Sequence, residues 1–248
     1  MFILALHGFT GCGADFAPLA QIIGGEWHCP ELPGHGPESQ LDCSPKGTLD
    51  CINKALIHYR LAVTTQKILL GYSMGARAAL LHATHHPDVW DALILISGSP
   101  GIENETNRSD RRIADAELAD SIERLGVKTF LEFWQETPLI RSQKEIPTNH
   151  RAFMQANRLE NTSVGLAKSL RQFGQGSAPN LWPEIGKLAM PALLITGEKD
   201  TKYTNIAQRM QKVLPNASHV SILNTSHMPH LEQSDSVEKA IKAFIAEQ

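Results

Sequence analysis

Apolar positions along this chain alternate between two spacings. Phe2–Leu6, Lys67–Gly71 and Ala92–Ile96 are short, nearly continuous apolar runs. Runs of this length bounded by turn residues predict strands buried on both faces. Between them the spacing lengthens to the helical period. Helices are predicted for Ala14–Ile23, for residues 47–64 with Leu49, Ile52, Leu56 and Tyr59 on one face, and for Met74–His86, which Pro87 stops. Trp27–Glu31 predicts a further strand, ending in the turn-rich Leu32-Pro33-Gly34-His35-Gly36.

After Pro100-Gly101 the pattern changes. From about 103 to 178 the spacing is helical and no strand is predicted: Leu118, Ile122 and Leu125 recur at one face, then Val127, Phe130, Leu131 and Trp134. Gly174–Pro179 reads as a loop. Alternation resumes with a strand at Ala192–Thr196, a helix at 204–213, a strand at His219–Leu223 and a helix over 235–246, whose Val237, Ala240, Ile241, Phe244 and Ile245 form an apolar stripe. Alternating strands and helices imply an α/β class: a mostly parallel sheet with helices on both faces. The expected organisation is a core of residues 1–102 and 179–248, with 103–178 inserted as a helical cap over the C-terminal edge of the sheet. Ligands bind at that edge in open α/β sheets.

Composition narrows the function classes. The 248 residues suffice for one large domain, and 42% hydrophobic with 20% charged residues is an ordinary globular balance. A net charge of −3 gives no field that would gather nucleic acid. No apolar run approaches the ~20 residues of a membrane span, so no membrane anchor is expected. Met1–Leu6 lacks a basic flank and a small-residue cleavage site, and reads as a first strand instead of a signal peptide. Cys12, Cys29, Cys43 and Cys51 include no CxxC pair and no zinc-like Cys/His set. They read as reduced thiols of a cytoplasmic protein, with no metal site.

Gly71-Tyr72-Ser73-Met74-Gly75 matches G-x-S-x-G between a predicted strand and a predicted helix. A serine on that sharp turn is presented at a helix N-terminus, where free amides and the helix dipole favour developing negative charge. Partners should follow in the order acid, then histidine. Asp200 comes just after the strand at 192–196 and His227 just after the strand ending at Leu223. Glu198 competes with Asp200, and His230 with His227. The other histidines, including His85-His86, read as surface or capping residues. His7-Gly8-Phe9-Thr10 follows the first strand, so the Phe9 and Met74 amides form a candidate oxyanion pair.

Eight of the eleven arginines fall in the expected cap: Arg108, Arg111, Arg112, Arg124, Arg141, Arg151, Arg158 and Arg171. Arg77 stands apart. It lies one helical turn after Ser73 in an alanine-rich helix, where a charge needs a partner. Either an ion pair to the cap or a substrate carboxylate would serve.

With these residues in view, the chain resembles the α/β-hydrolase-fold 2-succinyl-6-hydroxy-2,4-cyclohexadiene-1-carboxylate synthases of menaquinone biosynthesis. The resemblance covers essentially the whole chain. It rests on His7-Gly8-Phe9-Thr10-Gly11, Leu32-Pro33-Gly34-His35-Gly36, Gly71 to Arg77, Gly98-Ser99-Pro100-Gly101, the Arg111/Asp115 region, Phe133-Trp134 with Pro138, and Gly197-Glu198-Lys199-Asp200. Ser226-His227 departs from the family's more usual Gly-His. The resemblance implies that Arg77, Arg111 and Arg158 bind carboxylates of a small, multiply acidic substrate, with Tyr72 and Trp134 lining the pocket. Alignment around Arg111 is loose, which leaves Arg112 and Arg108 open, and Trp134 also fits a plain core position. The implied reaction is a 2,5-elimination of pyruvate started by Ser73, His227 and Asp200, without a metal or organic cofactor. A serine carboxylesterase or thioesterase is the alternative enzyme of this fold. A non-catalytic binding protein of the same fold is the other rival, although its usual broken triad is not found here.

Overall fold

The computed structural model describes residues 1–58 and 65–248. Six parallel strands form one sheet: β1 (Phe2–Leu6), β2 (Glu26–His28), β3 (Lys67–Tyr72), β4 (Ala92–Ile96), β5 (Ala192–Gly197) and β6 (Ala217–Ile222), in the order β2-β1-β3-β4-β5-β6. Eleven α-helices lie among the described residues. The first three are α1 (Ala17–Ile23), α2 (Pro45–His58) and α3 (Met74–His85). Then come α4 (Glu105–Leu125), α5 (Val127–Trp134), α6 (Thr148–Arg158) and α7 (Ser163–Phe173). The last four are α8 (Trp182–Ile185), α9 (Thr201–Val213), α10 (Pro229–Glu232) and α11 (Ser234–Ala246).

Period-2 alternation sends successive strand residues to two separate cores. Leu4, Leu6, Leu69, Leu93, Leu95 and Leu194 face one side, where the alanine-rich α3 packs with parts of α2, α8 and α9. Ile3, Ala5, Ile68, Leu70, Ile94, Ile96, Leu193 and Ile195 face the other, against Leu19 of α1 and Val237, Ile241 and Phe244 of α11. Burial on both faces explains why β1 and β4 contain no polar residue. The edge strands β2 and β6 mix exposed and half-buried positions.

The connection from β1 to β2 runs one way across the sheet, and the chain then crosses to β3 on the other side of β1. This reversal puts a topological switch point between the C-terminal ends of β1 and β3. Between β4 and β5 the described residues hold only helices and turns. There α4 packs along α7, and Ala119, Ile122, Phe130, Leu166, Ala167 and Leu170 form a third apolar cluster. Asn104 caps α4 by accepting from the Asn107 amide at 2.9 Å, and Gly126 at φ +77° separates α4 from α5. No helix among the described residues is long and apolar enough to cross a membrane.

Several boundaries differ from the expectation. The helix expected at Ala14–Ile23 is a 3₁₀ turn, Gly13–Phe16, followed by α1. Pro18, which lacks an N–H, fits the first turn of α1 but not a helix interior. The second strand is shorter than Trp27–Glu31: Pro30 cannot donate to a ladder, and the Glu31 carboxylate turns to accept from the Gly13 amide at 3.0 Å. The second helix is described to His58, and Tyr59, expected on its apolar face, lies outside the described residues. Helix α9 starts earlier than 204 because Asp200 caps it. Leu223 is exposed, beyond the end of β6.

Several histidines expected at the surface are interior. His7, His35 and His82 are fully buried. His82 accepts from Trp90 Nε1 at 2.9 Å and contacts Asn53 Oδ1 at 3.1 Å. His85 does act as a capping residue, its Nδ1 lying 2.9 Å from the Leu81 carbonyl.

Burial pushes the pKa values of His35, His82 and His230 down to about 3. All three are neutral in the folded protein at neutral pH, whereas an unfolded histidine titrates near ~6.5. Above that pH neither state binds the proton, and their contribution to stability is complete. Below it the unfolded chain takes up protons that the fold excludes, so stability falls from about pH 6.5 towards pH 3. Urea denaturation should show a loss of about 1 kcal/mol per histidine between pH 6 and pH 5. A flat profile over that interval would mean that these rings are protonated in the folded state.

Candidate active site

The turn from β3 to α3 holds Ser73 at φ +51° and ψ −104°, a backbone conformation costly for a residue with a Cβ. It is held from both ends. The Ser73 amide donates to the Ile96 carbonyl of β4 at 2.9 Å, and its carbonyl accepts from the Arg77 amide at 3.3 Å. The two motif glycines allow the close approach. A Cβ on Gly75 would lie 1.9 Å from the Leu6 carbonyl oxygen, and one on Gly71 would lie 2.4 Å from the Gly75 carbonyl oxygen. The helix is thereby pressed against the end of β1.

His227 links this serine to Asp200. Its Nε2 is 3.0 Å from Ser73 Oγ, and its Nδ1 is 2.6 Å from Asp200 Oδ2. Because the carboxylate can only accept, Nδ1 carries the proton and Nε2 is free to accept from the serine hydroxyl. Asp200 Oδ1 accepts from the Tyr203 amide at 3.3 Å, which fixes the carboxylate at the start of α9. The competing residues are elsewhere. Glu198 accepts from the Asn224 amide at 2.9 Å on the surface. His230 is sealed between Phe16 and Tyr72, with ring centroids 5.4 and 4.5 Å away.

Met74 is the first residue of α3, so its amide has no intrahelical acceptor. Gly8 and Phe9 follow β1 across the switch point. A Cβ on Gly8 would lie 3.6 Å from Ser73 Cβ, so this turn abuts the serine. Two buried histidines hold it. His7 Nδ1 contacts the Gly8 carbonyl at 2.8 Å, and His35 Nε2 accepts from the Thr10 amide at 3.2 Å. Thr10 itself sits at φ +65°, and its carbonyl accepts from Asn161 Nδ2 at 3.1 Å.

A cavity of about 330 Å³ opens over Ser73 and His227. Phe9, Tyr72, Met74, Arg77, Arg111 and Trp134 all line it. Arg77 is 6% exposed, donates from Nη2 to the Phe173 carbonyl at 3.3 Å, and stands 5.9 Å from the Phe173 ring centroid. Its Nε has no hydrogen-bond partner, and among the described residues no carboxylate forms a salt bridge with it. Burial pulls the guanidinium pKa down from its ordinary value and the neighbouring Arg111 adds to the effect, while Tyr203 and the Asp115 carboxylate oppose it. Arg111 is anchored by Asp115 at 2.7 Å and by Gln175 at 3.2 Å. Its neighbours are turned to other partners: Arg108 pairs with Glu105, and Arg112 donates to the Gly176 carbonyl. Trp134 stacks on Phe130 and meets the Phe9 ring edge-on at 5.8 Å, so it belongs both to the third apolar cluster and to the cavity wall.

Arg158 corrects the sequence expectation. It is buried, but it is not among the residues lining the cavity. It stands behind Gln143, donating from Nη1 to Gln143 Oε1 at 2.8 Å, and Gln143 occupies the wall in its place. Gln143, Gln175 and Lys202 are wall residues that the sequence reading missed. Lys202 had a signal, since it lies two residues after Asp200 at the mouth of the same strand. The two glutamines, in a 3₁₀ turn and a loop, had none.

A parallel sheet, a strained serine at the switch point and a hydrogen-bonded Ser–His–Asp line define the class. The chain belongs to the alpha/beta hydrolase family, whose profile matches residues 3–240. Within that family it is similar over its whole length to a narrower group. A Bacillus subtilis (strain 168) protein provisionally named 2-succinyl-6-hydroxy-2,4-cyclohexadiene-1-carboxylate synthase is 31% identical, the match covering 98% of this chain and 89% of that protein. The synthase of the same name from Salmonella paratyphi C (strain RKS4594) is 28% identical, covering 98% of this chain and 93% of the other. The solved structure of MenH from S. aureus superposes with a TM-score of 0.92 at 31% identity, covering 100% of this chain and 94% of that one.

A buried guanidinium without a salt-bridge partner weakens the fold it sits in. Arg77→Met, which keeps the volume and removes the charge, should leave the unfolding free energy unchanged or raise it by about 1–4 kcal/mol in urea titrations. A loss of about 3–5 kcal/mol, as when a buried ion pair is broken, would mark Arg77 as a structural residue.

Proposed function

We propose that this protein is a carbon–oxygen lyase that eliminates pyruvate from 2-succinyl-5-enolpyruvyl-6-hydroxy-3-cyclohexene-1-carboxylate, a step in menaquinone biosynthesis. The observation that carries this reading is Arg77: a buried cation without a carboxylate partner, on the cavity wall one helical turn from Ser73. A simple ester gives such a group nothing to bind. The proposed substrate carries several carboxylates, and two arginines with Lys202 line the cavity to meet them. The names of the relatives point the same way. Residues 103–178 serve as the cap that supplies Arg111, Trp134 and Gln143, and Arg158 acts on the cavity through Gln143. Four free thiols accord with a cytoplasmic setting.

In this mechanism His227 takes the Ser73 hydroxyl proton while Asp200 holds the imidazolium. Ser73 Oγ takes the ring proton next to the succinyl carbonyl. The carbonyl oxygen, gaining negative charge, sits against the Phe9 and Met74 amides. The electron pair left on the ring carbon forms a new double bond, the existing one moves one position, and the C–O bond to the enolpyruvyl group breaks. The leaving enolpyruvate takes a proton from His227 and becomes pyruvate. Serine thus acts as a base, and every proton is accounted for without an acyl-enzyme.

Pyruvate release from the enolpyruvyl substrate, followed with a coupled dehydrogenase, tests the proposal. Ser73→Ala should lower kcat by about 10²–10⁴-fold, the range for a general base. Arg77→Ala should impair turnover of the acidic substrate and leave any hydrolysis of neutral aryl esters unchanged. Brisk aryl-ester hydrolysis with no pyruvate release would instead identify a carboxylesterase.

A further inference from the structure

The loop that carries His227 has no regular structure of its own. Next to the histidine it is held by one carboxylate, that of Glu232. Glu232 Oε2 accepts from the Ser226 amide at 2.6 Å, and Oε1 accepts from the Met228 amide at 3.1 Å. The backbone amides of the two residues flanking His227 therefore hang from the two oxygens of one half-buried group. Oε1 also accepts from Ser142 Oγ at 3.3 Å, and Ser142 belongs to the helical segment between β4 and β5. The next residue, Gln143, adds a second tie from Nε2 to Met228 Sδ at 3.4 Å. Gln143 is also the wall residue to which Arg158 is bound.

We propose that Glu232 is the positioning residue for His227, and that the turn containing Ser142 and Gln143 adjusts the histidine through it. The proposal rests on Ser73, His227 and Asp200 forming the working triad, and it holds whichever substrate the cavity takes. Two charge-assisted bonds fix the amides of the residues on either side of His227, so the backbone that carries the imidazole cannot shift towards Ser73 without stretching one of them. A misplacement of about 1 Å at such a base costs about 100-fold in rate. A wall contact with substrate at Gln143 reaches the same loop through Met228 and through the neighbouring Ser142. Glu232 does not touch the cavity, so its effect belongs in kcat and not in KM.

Glu232→Gln keeps the volume but turns an NH₂ towards one of the two peptide N–H groups. Three readings test it. Pyruvate assays should give a kcat about 10–100-fold lower, with KM within about twofold of wild type. The second reading is the rate at which a fluorophosphonate probe labels Ser73, which reports triad alignment without the natural substrate. It should fall by a similar factor, so failure of the lyase reading and failure of this one remain distinguishable. The third is the downfield proton resonance of the His227–Asp200 hydrogen bond, which should shift or broaden. Ser142→Ala should lower labelling by a smaller factor, and the double variant should be no worse than Glu232→Gln alone. Should Glu232→Gln fail to fold, Glu232→Asp, with the carboxylate drawn back by one methylene, should show the same kcat-selective loss. Unchanged labelling and resonance in a folded Glu232 variant would overturn the positioning role. Independent, additive effects of Ser142 and Glu232 would overturn the link to the helical segment.

Discussion

The left-handed backbone at Ser73 is the constraint on which the rest of the site depends. A serine at φ +51° persists only if its surroundings over-determine it. Here they do so through the sheet itself. The Ser73 amide is tied to β4, and Gly75 lies so close to β1 that the Leu6 carbonyl would collide with any side chain there. The serine is therefore positioned by three adjacent strands at once. The same contact brings the end of β1, and with it the Phe9 turn, next to the start of α3. The candidate oxyanion turn and Ser73 are thus products of one close packing event. The acid and the histidine arrive from β5 and β6, further along the same edge.

A second constraint is electrostatic. Burying a charge without a partner is costly, and the fold places Arg77 in that situation beside a second arginine. In a site meant for a neutral ester this would be uncompensated loss. In a site for a polyanion it is preorganisation: the ligand supplies the missing charge and the desolvation has already occurred. Arg111 differs because Asp115 already satisfies part of its charge, and Asp115 is itself fixed by the Gly176 amide at 3.0 Å. One cation thus keeps its Nε without a hydrogen-bond partner, and the other is aimed by a fixed carboxylate.

What could be read in the sequence follows from how local the determining physics is. β4 was legible to the residue, because a strand buried on both faces must be apolar throughout. Ser73, Asp200 and His227 were legible because each follows a strand, and strand ends in a parallel sheet share one edge. The buried histidines were not. His7, His35 and His82 resemble surface residues until the fold supplies the Leu32 amide, the Thr10 amide and the Trp90 indole as their donors. Arg158, which the resemblance set on a substrate carboxylate, is buried, and its separation from the cavity by Gln143 depends on how a 3₁₀ turn packs. No periodicity encodes that.

The helical segment between β4 and β5 makes contact with several of the loops around the site. Asn161 holds both the Thr10 carbonyl and the Gly36 amide, at 3.1 and 3.0 Å. Phe130 and Trp134 pack on the Phe9 ring, which links the third apolar cluster to the oxyanion turn. The Phe173 carbonyl takes Arg77, and Ser142 and Gln143 reach the His227 loop. A displacement of these helices would therefore alter the Phe9 turn, Arg77 and the His227 loop together. The cavity wall and the Ser73–His227 pair share their contacts here, so any ligand that presses on these helices also acts on the geometry of that pair.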